Sequence, residues 1–179
     1  DLHSLRRRQR QMCIRDRCAY DRGRMFNVDA MDNIESAGIA FGRLSGEFLR
    51  TQVVPELDAY RLAAYAQIAG VTTVKGVLAN GKEALAALRA ARGKIENAEA
   101  NLATCYLFIN PTVYGMIEDL DTTASKKAIE GFAGIVKVPS GRFYSKVKLN
   151  ASGAGGFAKD TGGVAMNFLI VDKQSAIQY

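Results

Sequence analysis

The sequence predicts an α+β fold in which helices and strands follow one another without a regular strand–helix–strand rhythm. Apolar residues recur at helical spacing over residues 32–69 and again near residues 80–99. In contrast, TCYLFIN (104–110) is a short apolar run that ends at Asn110 and Pro111, which is typical of a buried strand. Long helices combined with separate strands favour the α+β class over a doubly wound sheet.

Residues 1–17 are set aside because they resemble a translated sequencing adapter. The run RRQRQMCIRD (7–16) corresponds to the common transposase-type adapter, and DLH (1–3) to the flow-cell end of the same adapter. An arginine-rich terminus would otherwise predict an arm that binds nucleic acid. We exclude such segments from fold reasoning. The chain also starts within a predicted strand and stops at Tyr179 without a turn signal, so we expect it to be partial.

Composition then argues against several classes of protein. The whole chain has 24 basic and 18 acidic residues. Without the six arginines and two aspartates of residues 1–17, 18 basic and 16 acidic residues remain, which gives a net charge of +2. So small a surplus does not predict a DNA-binding module. Cys105 lies in an apolar run, so a buried core thiol is predicted rather than a disulfide or a nucleophile. No apolar run approaches the roughly 20 residues of a membrane span, and no membrane partner is expected.

The first predicted helix is unusually long and covers residues 32–69. Asp32 or Asn33 is expected to cap its start, Pro55 to break or kink it, and Gly70 to close it. One stripe of this helix is apolar: Ile34, Ala37, Phe41, Leu44 and Phe48.

A second face of this helix carries small residues. Gly38, Gly42 and Gly46 recur every four residues, a spacing that membrane helices use for close contacts. Because Arg43 and Arg50 are interspersed, we favour a helix exposed to water that lets a neighbouring chain approach closely. The candidate subunit-interface residues are Gly38, Gly42, Gly46, Arg43, Arg50 and Pro55.

The remaining elements follow in order along the chain. A helix near residues 80–99 has charged residues that include Arg89 and Arg92 on its solvated face, and Pro111 begins a short helix. Residues 134–149 alternate apolar and basic side chains, which predicts a strand pair or a bent strand. A glycine-rich loop (150–163) then leads to a last strand, NFLIVD (167–172).

Three clusters were weighed as chemical sites. GAGGFA (153–158) matches the spacing of a dinucleotide cradle, but the glycines that follow disfavour the helix that such a cradle requires. The acidic residues Glu118, Asp119 and Asp121 are better explained as a solvated helix end than as a cation site. The basic residues Lys137, Arg142, Lys146 and Lys148 are expected to line one charged strand edge. No catalytic, cofactor-binding or metal-ligating residue is predicted, and an enzyme is not expected.

Four segments carry a resemblance to a known family. They are DRGRMFNVDAMDN (21–33), RTQVVPELDAYRLAAYA (50–66), LFINPTVYGMIED (107–119) and VPSGRFYSKVKLN (138–150). In this order and spacing they resemble the major capsid proteins of tailed bacteriophages. The resemblance covers residues 21–179 and contains no catalytic signature.

The resemblance implies the Hong Kong 97-like capsid fold, with a spine helix, a peripheral domain and an axial domain. Residues 18–76 would hold the remnant of the extended loop and the spine helix, and residues 77–179 the axial domain. The implied function is a subunit that self-assembles into the pentamers and hexamers of an icosahedral virion shell around double-stranded DNA, in the host cytoplasm. Its partners would be copies of itself, scaffold, portal and decoration proteins, and packaged DNA through non-specific contacts. The alternative is a small nucleotide-binding enzyme that uses residues 153–158.

Overall fold

The computed structural model describes residues 22–25, 27–35, 39–151 and 155–174. The chain divides into two compact units, residues 1–42 and residues 43–179, which are treated separately. Helices and strands are mixed in the second unit without regular alternation. The α+β class predicted from the sequence is confirmed.

The described part of the first unit is mainly helical. Helix α1 (Ala30–Glu35) begins where Asp29 Oδ1 accepts the N–H of Met31 at 3.2 Å. The predicted start at residue 32, with a cap at Asp32 or Asn33, was therefore wrong by two residues. Residues 22–25 and 27–29 have no regular secondary structure. Helix α2 (Ile39–Phe48) begins in this unit and ends in the second.

The helix continues through the predicted interruption at Pro55 with a changed pattern of hydrogen bonds. A π-helical segment (Leu49–Val53) connects α2 to α3 (Val54–Ala66), and Pro55 lies in the first turn of α3. Proline lacks an N–H and its ring crowds the preceding turn, which explains why the irregular turn lies just before it. The helix ends at Ala66 rather than at Gly70, which has a φ of +92° in the following turn.

Helix α4 (Gly81–Asn97) confirms the helix predicted near residues 80–99. Asn80 caps its start, because Asn80 Oδ1 accepts the N–H of Glu83 at 3.0 Å. Glu83 in turn accepts the N–H of Ala79 at 2.9 Å through Oε2. The first bond satisfies a backbone donor that the first turn of a helix leaves unpaired, and the second ties the residue before the cap to the same turn.

A three-stranded sheet lies at the centre of the second unit. Strand β1 (Cys105–Ile109) is its middle strand and pairs in parallel with β2 (Gly134–Lys137). Two short helices, α5 (Pro111–Glu118) and α6 (Thr123–Ile129), connect these strands. A separate hairpin consists of β3 (Val147–Leu149) and β4 (Phe157–Lys159). The last strand, β5 (Phe168–Asp172), pairs antiparallel with β1.

The strand predictions were right at both ends of this unit and wrong between them. TCYLFIN and NFLIVD form β1 and β5. Residues 134–149 do not form a strand pair, because β2 and β3 belong to different sheets. A 3₁₀ turn (Ser140–Arg142) separates the two strands. The sequence alternation is matched by burial only in β3, since β2 is exposed at three of its four residues.

Two apolar clusters stabilise this unit. The first joins α4, β1, α5 and α6 through fully buried side chains that include Leu88, Leu107 and Ile117. The second joins α3 to the 3₁₀ turn through Leu62, Val138 and Phe143. In the described ranges, no helix combines the length and the apolar character that crossing a bilayer would require.

Candidate functional site

The interface candidates of the long helix lie on an open surface. A Cβ atom added at Gly42 or Gly46 would meet no other atom within 4 Å, apart from each glycine's own neighbourhood. Arg43 is exposed and Pro55 is half-buried. Gly38 lies outside the described residues.

Arg50 forms an ion pair on this helix. Its Nη2 atom lies 2.6 Å from Glu47 Oε1, and both side chains are largely exposed. The hydrogen bond from Arg50 lowers the pKa of Glu47, and the same bond raises the pKa of Arg50. Since exposed pairs contribute little to stability, this pair mainly fixes the position of the guanidinium on the surface.

Three residues of the apolar stripe of the helix are exposed, Phe48 is half-buried, and Ala37 lies outside the described residues. Helix α2 has no buried residue. In the first unit, Ile34 is 73% and Phe41 is 52% exposed. In the second unit, Leu44 is 41% and Leu49 is 52% exposed. Periodicity correctly predicted the helix, but the face it defines is a surface rather than part of the core.

The segment after α3 is a second exposed apolar surface. Residues 71–79 have no regular secondary structure, and residues 71–77 are all exposed. Val74 is 76% and Val77 is 90% exposed. Asn167 Nδ2 lies 3.4 Å from the carbonyl oxygen of Gly76, so this contact holds one end of the segment.

The described part of GAGGFA, residues 155–158, belongs to the β3–β4 hairpin, and Gly153 and Ala154 lie outside the described residues. Gly155 and Gly156 have φ values of +64° and +72°, which glycine adopts readily. Asn150 donates from Nδ2 to the carbonyl oxygen of Gly155 at 3.0 Å and thereby braces the turn. Strand β4, and not a helix, begins at Phe157. The helix N-terminus that a phosphate cradle requires is thus not found in residues 155–163.

The acidic residues lie at the end of α5, as predicted. Glu118 is the last residue of α5, and Asp121 Oδ1 lies 2.7 Å from Lys126 Nζ on α6. The hydrogen bond from Lys126 lowers the pKa of Asp121. The residues that the structure describes contain no group of three or more His, Cys, Asp or Glu side chains arranged to hold a metal ion.

The basic residues do not line one edge, which corrects the expectation for this set. Lys137 Nζ lies 3.9 Å from the centroid of the Tyr114 ring. Arg142 Nη1 lies 3.6 Å from Asp58 Oδ2 and so connects the 3₁₀ turn to α3. Lys148 is exposed on β3, which belongs to the other sheet. The alternation could not reveal this separation because it carries no information on strand partners.

Cys105 is a core thiol, as predicted. It is 2% exposed, and its Sγ atom lies 3.4 Å from the carbonyl oxygen of Asn101. Burial raises the pKa of the thiol, and the nearby Asp172 carboxylate adds to this shift.

We expect Cys105 to resist alkylation in the folded chain, because the thiolate is the reactive form and burial disfavours it. Iodoacetamide at pH 8 should label its tryptic peptide at least about tenfold more slowly in buffer than in denaturant. Mass spectrometry of that peptide measures the difference. Equal rates in the two conditions would contradict the buried position.

The sequence did not indicate the role of Arg92. It was assigned to the solvated face of its helix, but its side chain is 28% exposed and reaches the end of α6. Arg92 Nη1 donates to the carbonyl oxygens of Lys127 at 2.8 Å and Glu130 at 2.9 Å. Residues distant in sequence contribute these acceptors, so no local pattern could have predicted the contact.

Comparisons of the chain with protein-family models, with curated proteins and with solved structures found no match. Its functional interpretation therefore depends on the surfaces described above and on the resemblance of its four sequence segments to phage capsid proteins.

Proposed function

We propose that the chain is a structural subunit of a bacteriophage shell, with the Hong Kong 97-like fold. In this proposal, copies self-assemble into pentamers and hexamers of an icosahedral virion that encloses double-stranded DNA. Assembly takes place in the cytoplasm of the bacterial host. Scaffold, portal and decoration proteins are further partners, and no small-molecule substrate or catalytic residue is involved.

Exposed apolar side chains along the long helix carry this proposal. Within the second unit alone, Leu44, Leu49 and Val54 are each more than two-fifths exposed. Exposed apolar side chains on several sides of one helix offer area that a partner chain can bury. Copies of the same chain are the expected occupants, since homo-oligomers use repeated surfaces and a shell needs extensive ones.

The domains that the resemblance implies would divide these elements at residue 76. Residues 39–66 are continuously helical and would be most of the spine helix. The sheet, the hairpin and helices α4 to α6 all follow within residues 81–172 and would belong to the axial domain. Residues 21–31 would be the returning strand of the extended loop, but residues 22–25 and 27–29 have no regular secondary structure and α1 begins at Ala30.

The irregular turn before Pro55 suits a subunit that occupies positions of different curvature. The π-helical segment Leu49–Val53 lies between two regular helices. Such segments are common sites of bending. Together with Gly42 and Gly46, which permit close approach, this turn would let one sequence adapt to pentameric and hexameric neighbours.

Sedimentation velocity, with electron microscopy of the fast fractions, tests the proposed function. The measurement uses the open reading frame that contains this chain, over a range of salt and protein concentrations. Capsomers or hollow shells are the expected result. A single small species under all conditions would overturn the proposal.

Replacing Gly42 with leucine should reduce assembly more than folding. A Cβ atom added at this position has no atom within 4 Å beyond its own helix backbone and chain neighbours, and leucine has a higher helix propensity than glycine by roughly 0.5–1 kcal/mol. The melting temperature of the subunit should therefore stay constant or rise. The yield of fast-sedimenting particles should fall at least about tenfold if the glycine face is a subunit contact, since 1.4 kcal/mol of lost contact energy is sufficient.

Gly93 provides the matched control. It lies within α4, and a Cβ atom there also meets no atom within 4 Å. Gly93→Leu should increase helix stability in the same way without changing particle yield. Unchanged assembly of the Gly42→Leu variant would contradict the assignment of the glycine face to a subunit contact.

A further inference from the structure

A cleft of about 330 Å³ lies between helices α4 and α6, with more positive than negative charge around it. Its lining residues are Arg89, Arg92, Glu96, Lys127 and Ala128. Three of these side chains are cationic and one is anionic. The whole cleft lies within the second unit.

Arg92 is held rigidly at one wall of the cleft. Its Nε atom donates to Glu96 Oε1 at 2.8 Å, and its Nη1 atom donates to two carbonyl oxygens near the end of α6. The carboxylate and the helix-end carbonyls together compensate the charge of this guanidinium. Arg92 thus fixes the geometry of the cleft, and Glu96 is already engaged in an ion pair.

Arg89 and Lys127 supply the remaining positive charge. Both are exposed. Arg89 Nη2 lies 3.5 Å from the carbonyl oxygen of Ala124, which is at the outer limit for a hydrogen bond. Most of the N–H donors of this guanidinium therefore remain available to an external acceptor. Lys127 adds an ammonium group on the opposite helix.

We propose that this cleft binds a phosphate group, with Arg89 and Lys127 as its principal ligands. A guanidinium presents a planar fork of donors that matches two oxygens of a phosphate, and an ammonium acts as a compact point charge. Cations placed on two different helices can contact one oxyanion from two sides. The fixed Arg92 adds positive potential without needing to move.

Two sources could provide the phosphate. The backbone of packaged duplex DNA is the expected source, and this choice rests on the proposed capsid function. Free inorganic phosphate offers the same chemistry without that assumption. Duplex binding at this site would be independent of sequence and sensitive to salt, because it would involve backbone contacts alone.

The test compares three full-length chains: wild type, Arg89→Gln/Lys127→Gln, and a control, Lys82→Gln/Lys94→Gln. The control removes the same charge from exposed positions of α4 that do not line the cleft. All three chains keep the arginines of residues 1–17, so these arginines contribute equally to DNA binding in each chain. Fluorescence anisotropy measures binding of a short DNA duplex, and isothermal titration calorimetry measures binding of inorganic phosphate.

We expect the cleft variant to bind both ligands at least about tenfold more weakly than wild type, because it loses charge-assisted hydrogen bonds. Its salt dependence for the duplex should fall by about 1 to 2 in log–log slope. The control should change each affinity by less than about twofold. Loss of phosphate binding alone would support the site and reject duplex DNA as its source.

Equal losses in the cleft variant and the control, or no measurable binding by wild type, would overturn the proposed phosphate site. Particle formation, measured separately by sedimentation, reports on the capsid function. Failure of the phosphate site and failure of the proposed function are therefore distinguishable.

Discussion

Replacing Phe143 with alanine should lower the free energy of unfolding by about 3–5 kcal/mol. Phe143 is fully buried and follows the 3₁₀ turn, where it packs with Leu62 of α3 and with Val138. Its carbonyl oxygen also accepts the N–H of Met166 at 2.9 Å, so the surrounding backbone is constrained and a cavity would close only in part. Urea denaturation followed by circular dichroism measures the change.

Phe41→Ala is the matched control for this prediction. Phe41 is 52% exposed on α2, so truncation should change stability by less than about 1 kcal/mol. Under the proposed function, the same change should weaken subunit association. If Phe143→Ala lowers the free energy of unfolding no more than Phe41→Ala does, the second apolar cluster does not stabilise the fold.

Replacing Gly81 with alanine should lower the free energy of unfolding by about 1–3 kcal/mol. An added Cβ atom would collide with the carbonyl oxygen of Met116 and would lie 3.1 Å from Leu120 Cγ. Gly81 is the first residue of α4, and Met116 belongs to α5. Backbone atoms cannot move aside as a flexible side chain does, so the two helices would have to separate. Thermal unfolding should show a decrease of several degrees.

Gly93→Ala in the same helix should have the opposite effect. This position has open space around its Cβ site, and alanine has a higher helix propensity than glycine by roughly 0.8–1 kcal/mol. Gly81→Ala and Gly93→Ala make the same substitution in the same helix. The opposite signs expected for their effects on stability thus reflect the packing around each position. An increase in stability in both variants would mean that α4 and α5 do not approach each other this closely.

Local patterns predicted most of the regular elements. The spacing of apolar residues placed α4 correctly, and the run TCYLFIN placed β1, because both patterns arise within one short segment. Pro111 was expected in the first turn of α5 and lies there. The cap of α1 was misplaced because Asp29, Asp32 and Asn33 all suit a cap, and only the path of the backbone selects one.

Contacts between segments that are distant in sequence were predicted poorly. The alternation of residues 134–149 correctly indicated extended segments, but β2 is exposed at three of its four residues, and the pattern could not show that β2 pairs with β1 while β3 pairs with β4. Likewise, the charge of Arg92 suggested a solvated position. Its acceptors at Lys127 and Glu130 come from another helix and have no local signal.

The sequence by itself determined where α4, β1 and β5 form, that Cys105 is buried, and that GAGGFA is not followed by a helix, whereas it missed α6 and placed β4 within a loop. These properties depend on residues close together in the chain. Only the tertiary structure decided that Leu44 is exposed, that Gly155 and Gly156 lie in a hairpin turn before β4, and that Arg89 and Lys127 line one cleft. The reason is physical: periodicity shows which side chains share a face, whereas the chain's long-range packing decides what that face meets.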